Sequence, residues 1–140
     1  MDDLLKSVTH TVAFVTGILI PTPLAAESDF VGVWQPYSDP VAALGAMTVE
    51  AERLSFAAGP TAHIEPVRRD GSVYRIVGPD HHAFVACHEG AHNYVAFRLL
   101  DNGLLARLYY SADAPPPEPT GNDVMDVTRN GACSVMFYGR

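Results

Sequence analysis

Three Asx-Gly dipeptides, Asp70-Gly71, Asn102-Gly103 and Asn130-Gly131, constrain this chain more than any other feature. A two-residue type I′ hairpin turn needs positive φ at both central positions, and Asn-Gly or Asp-Gly reaches that at little steric cost. Each dipeptide is flanked by β-branched, aromatic or alternating residues, so each is expected to join two antiparallel strands. With Asn102-Gly103 at the tip, Tyr94–Leu100 runs back along Leu104–Tyr110. That register pairs Leu99 with Ala106, Phe97 with Leu108 and Val95 with Tyr110 on a core face. Tyr94, Arg98, Arg107 and Tyr109 fall on the other face, with Arg98 opposite Arg107.

A second hairpin is expected to join His63–Arg69 to Ser72–Val77, and a third Val124–Arg129 to Cys133–Tyr138. Phe30–Gln35, Met47–Phe56 and His82–His88 read as further strands. The sum is an all-β antiparallel meander of about eight strands, closed into a small barrel or folded as a sandwich. The high content of turn formers, 11 Gly and 11 Pro in 140 residues, agrees with many short connections. Ser111–Asp123 carries Pro115, Pro116, Pro117 and Pro119. It reads as a solvent-exposed connection, with a stiff docking ligand as the alternative. The Arg68-Arg69-Asp70-Gly71 tip reads as a charged turn.

The first 26 residues stand apart. Thr11–Ile20 is an apolar run, followed by Pro21, Thr22, Pro23 and Leu24-Ala25-Ala26, the order of a secretory signal peptide with small residues at its cleavage point. A membrane span needs ~20 apolar residues, so this run does not anchor the mature chain. The leading Asp2 and Asp3 against Lys6 depart from the usual positive start, and an amphipathic helix of a cytosolic protein is the alternative. Export leaves residues 27–140 as one domain, periplasmic or extracellular. The formal net charge of −7 argues against a nucleic-acid partner, which would require clustered Lys and Arg.

An even cysteine count in an exported domain reads as a disulfide, here Cys87 with Cys133. Closing so long a loop would stabilise the fold by roughly 4 kcal/mol on the chain-entropy account. In a cytosolic chain the two are buried thiols.

His88-Glu89-Gly90-Ala91-His92 is a formal HExxH. On a helix the two imidazoles share a face and reach one Zn²⁺ while the glutamate activates water. Such a helix would start at Asp80 and stop at Gly103. Against it, Gly90 costs a helix interior ~1 kcal/mol, and the Tyr94–Phe97 run is strand-like. No histidine follows His92, and Glu118 is the one later glutamate, within the proline-rich stretch. If Glu89-Gly90-Ala91 is instead a hairpin loop, His88 and His92 meet at its mouth. There they would hold zinc or another transition metal loosely, or act as polar turn residues. No cofactor is otherwise expected.

The Arg98/Arg107 pair framed by Tyr94 and Tyr109 calls for an anion, a carboxylate partner or an aromatic face. It is a candidate site for a carboxylate or phosphate head group, with a solvated Tyr–Arg face as the alternative. GxGxxG, GxxxxGK[ST], GxSxG and CxxC are all absent.

Phe30-Val-Gly32-Val-Trp34 resembles the opening strand of lipocalins and related small secreted barrels, in which Gly-x-Trp begins the first strand and the Trp plugs one end. The resemblance covers these residues and the meander pattern. It implies a barrel that binds a small ligand, with Trp34 at its entrance strand. The expected function is therefore an exported, non-catalytic binding module. It would hold an apolar, amphipathic or anionic ligand, or block a partner enzyme with its loops. A small zinc hydrolase using His88, Glu89 and His92 is the alternative.

Overall fold

Inward apolar positions recur at every second residue within each strand, and that alternation lets successive hairpins share one interior. Met47 and Val49 face inward, then Leu54 and Phe56, then Ala62 and Ile64. The computed structural model describes residues 17–18, 28–78 and 92–140. Within them eight strands form a closed antiparallel barrel in sequence order. The strands are β1 (Gly32–Pro36), β2 (Met47–Val49), β3 (Arg53–Phe56), β4 (Thr61–Pro66), β5 (Val73–Val77), β6 (His92–Leu99), β7 (Leu105–Ala112) and β8 (Ser134–Gly139). Gln35 and Pro36 of β1 pair with Gly139 and Tyr138 of β8 and close the ring, so the fold is a barrel and not a sandwich. A short helix, α1 (Asp39–Ala42), lies between β1 and β2.

Expected and observed strands differ at two places. Met47–Phe56 is not one strand but a hairpin, with Met47 opposite Phe56 and Val49 opposite Leu54. A single strand would have put Ala51, Arg53 and Ser55 on the face of Met47 and Val49. The chain turns at 50–52 instead, held by Glu50 N–H donating to the Arg53 carbonyl and by the Glu50–Arg53 ion pair. The third expected hairpin does not form either. Val124–Val127 is a helical turn, α2, because Asp123 caps it by accepting from the Asp126 N–H at 2.8 Å. Asn130 is no hairpin tip: its amide bridges the Thr120 and Val127 carbonyls, and its Oδ1 accepts from Thr120 N–H. Strand β8 pairs with β7 and β1.

None of the three Asx-Gly dipeptides has positive φ at both residues; the left-handed residue is Asp70, Gly103 or Gly131 alone. The β6–β7 connection is therefore a three-residue loop, 101–103. Gly103 N–H donates to the Leu100 carbonyl, Leu100 N–H donates to the Leu104 carbonyl, and Gly103 takes the left-handed position at φ +85°. The register shifts by one residue from that of a two-residue tip. Arg98 faces Ala106 and Arg107 faces Phe97. A one-residue shift carries side chains to the opposite face of the sheet.

The proline-rich stretch is solvated along much of its length, Pro115 and Pro117 included, but it is also anchored to the barrel. Pro116 and Pro119 are buried. Residues 113–133 form a strap across the outer face of the barrel, closing a second core in which Val127 packs with Val73, Ala96, Ala106 and Leu108. Glu118 ties the strap to the β4–β5 turn: its carboxylate accepts from Ser72 N–H at 2.8 Å and Ser72 Oγ at 2.7 Å, and pairs with Arg68 at 3.2 Å. Apart from residues 17–18, the expected signal segment lies outside the described residues, as do the His82–His88 strand, Cys87, His88 and Glu89.

Candidate ligand-binding site

The interior core comprises Trp34, Met47, Val49, Leu54, Phe56, Ile64, Ile76, Val95, Phe97, Leu105, Tyr109 and Tyr138, among others. Where the described chain enters and leaves the barrel, Trp34 is 1% exposed and its indole N–H donates to the Phe30 carbonyl at 2.8 Å. The Arg140 guanidinium lies over the indole, 4.2 Å from the ring centroid. Its Nη2 donates to the carbonyls of Asp29 and Val31. Gly32 precedes this arrangement at φ +136°, a conformation side chains rarely adopt. Phe30 stacks on Phe97 at 5.1 Å and meets Tyr74 edge-on. Trp34 thus belongs to a packed end of the barrel.

The expected constellation of Tyr94, Arg98, Arg107 and Tyr109 is divided by the sheet. Tyr94 belongs to the outer core, whereas Tyr109 belongs to the interior. Arg98 grips the strap: Nε donates to the Gly121 carbonyl and Nη2 to Asn122 Oδ1, each at 2.9 Å. Arg107 points inward and is 4% exposed. Its guanidinium carbon lies 4.3 Å from the Tyr109 ring centroid, 5.2 Å from Phe56 and 5.4 Å from Tyr138. Nη1 donates to the Tyr138 hydroxyl, while Nε has no hydrogen-bond partner among the described residues. The four ion pairs of the described residues use other side chains.

A buried guanidinium among rings is stabilised by their π faces, each interaction being worth about 0.5–2 kcal/mol. Rings do not accept an in-plane N–H, however, and a buried unpaired donor costs about 1–3 kcal/mol. The nearby phenols do not serve as counter-ions at neutral pH. Burial pushes Tyr109 up to about 12, against a smaller lowering by the Arg107 charge. Burial likewise raises Tyr138 above its ordinary value. Both remain neutral hydroxyls.

The histidine motif meets a different environment. His92 opens strand β6, is exposed, and pairs across to Ala112. A continuous helix from Asp80 to Gly103 is therefore not formed, since 92–99 is strand. His92 lines an open outer groove of about 420 Å³ with Glu65, Arg75, Tyr94, Asp113 and Pro115. Among the described residues no group of three or more His, Cys, Asp or Glu side chains is placed to hold a metal. Cys133 is half-buried just before β8, its Sγ 3.2 Å from the Tyr109 carbonyl oxygen.

No family model, curated protein or solved structure matches this chain.

The inward position of Arg107 was not recoverable from alternation. Leu105–Tyr110 is buried on both faces, so apolar residues occupy both parities. The sequence hint that remained was a lone cation between Leu105 and Tyr109, which share its parity.

Proposed function

We propose that this chain is an exported binding module that takes a small amphipathic ligand into its barrel and performs no chemistry of its own. The observation that carries the reading is Arg107: a cation whose Nε has no hydrogen-bond partner among the described residues, held among aromatic rings inside an otherwise apolar barrel. Its interior neighbours on β6 and β8 are Phe97 and Met136, which would accompany an apolar tail. The Trp34–Arg140 end is packed and hydrogen-bonded, which supports access from the opposite end. The same reading carries the Gly32-x-Trp34 resemblance to lipocalin-like barrels, a periplasmic or extracellular location, and a Cys87–Cys133 disulfide. The even cysteine count supports that pairing.

Calorimetric titration of the protein with decanoate, decanol and decyl phosphate tests the reading. Saturable one-to-one binding of at least one of these amphiphiles is expected. Failure of all three to bind would overturn it.

A further inference from the structure

We propose that the Nε–Nη2 edge of Arg107 is the head-group site for a monoanionic carboxylate, an assignment that rests on the binding-module reading above. Three observations converge on that edge. Nη1 is engaged by Tyr138, and Nε, buried, is left without a partner among the described residues. The rings of Tyr109, Phe56 and Tyr138 all lie within 5.4 Å of the guanidinium carbon and hold the group in place. No described carboxylate forms an ion pair with it.

The side edge of a guanidinium presents two parallel N–H donors, the geometry that a carboxylate accepts with both oxygens. Charge decides between anion classes. Arg107 is the sole charged side chain among the buried described residues. One negative charge neutralises it, whereas a phosphate dianion would leave a net charge away from water, at high desolvation cost. A neutral alcohol would leave the cation unpaired. The tail of the acid would run along Phe56, Phe97 and Met136.

Calorimetry on the full chain with decanoate, decanol and decyl phosphate at pH 7.5 separates the possibilities, alongside Arg107→Met and Arg107→Lys. Methionine keeps an apolar side chain of comparable length, and far-UV circular dichroism with a thermal melt establishes that each variant is folded. The wild type is expected to bind decanoate at least about tenfold more tightly than decanol or decyl phosphate, as expected for one added charge-assisted interaction. Arg107→Met should erase that preference while still binding decanol. Arg107→Lys should retain part of it, because lysine keeps the charge without the two-pronged edge. Equal binding of decanoate and decanol by the wild type would overturn the assignment but leave the binding-module reading standing. So would a preference that survives in folded Arg107→Met, or decyl phosphate binding as tightly as decanoate.

Discussion

Arg98 and Arg107 sit on adjacent strands, yet they do different work because they lie on opposite sides of the same sheet. Outside, Arg98 meets a carbonyl and a side-chain amide of the strap and becomes a fastener. Inside, Arg107 meets three rings, donates to the hydroxyl of one of them, and has no partner for Nε among the described residues. The two sides of the wall differ in the same sense. The interior is lined by side chains from all eight strands, whereas the outer core depends on one irregular segment lying across β5–β8. A polar tether is used where irregular chain must be held down. A cation without an ion-pair partner among the described residues persists inside because the surrounding rings offset part of its desolvation.

The sharpest way to break this contrast is to damage each core separately. Trp34→Ala removes the largest fully buried side chain of the interior, together with the platform for Arg140, and should cost about 3–5 kcal/mol. Chemical denaturation should show the whole domain destabilised as one cooperative unit. Leu108→Ala empties part of the outer core and should cost about 2–4 kcal/mol. Its signature should be local: trypsin cleavage after Arg129 in the strap should accelerate well before the barrel melts. Cleavage at an unchanged rate would show that the strap does not depend on this core.

Glu118 gives the smallest effect and the most specific one. Burial alone would raise its pKa, but the Ser72 N–H and hydroxyl and the Arg68 guanidinium outweigh burial and hold it below the ordinary value of 4.5. A carboxyl whose pKa is lowered by folding contributes stability above its unfolded value and loses it as pH falls through the folded one. The tether should therefore be complete at neutral pH and fade on acidification below about 4.5. At 38% side-chain exposure, solvent screening limits Glu118→Gln to about 1 kcal/mol at pH 7. Thermal melts from pH 7 to pH 3 should show the wild-type advantage over Glu118→Gln shrinking towards zero. An advantage that is constant across that range would mean the carboxylate charge does not hold the strap.

The all-β class and the antiparallel meander were readable because they rest on local signals, whereas closure through β1 and β8 was not. Alternation in Thr61–Pro66 and Val73–Val77, with Asp70-Gly71 between, is enough to expect a hairpin there. The Gly32-x-Trp34 opening marks the first strand. Two errors had local remedies. The parity break between Val49 and Leu54 marks a turn, and Asp123 three residues before Asp126 marks a helix cap. The register of β6 against β7 had none. Asn102-Gly103 serves a two-residue turn and a three-residue loop equally well, and both faces of β7 are apolar.

The sequence by itself determined that the chain alternates, turns often and builds an antiparallel meander, because backbone turn chemistry and side-chain periodicity act over a few residues. Tertiary structure alone decided which side of the wall each arginine occupies. That choice followed from the strap, whose Val127 packs on Ala106 and Leu108 and makes the outer face of β7 as dry as the inner one. With both faces buried, hydrophobicity no longer distinguishes them. A one-residue difference in loop length then assigned Arg98 to the strap and Arg107 to the barrel interior.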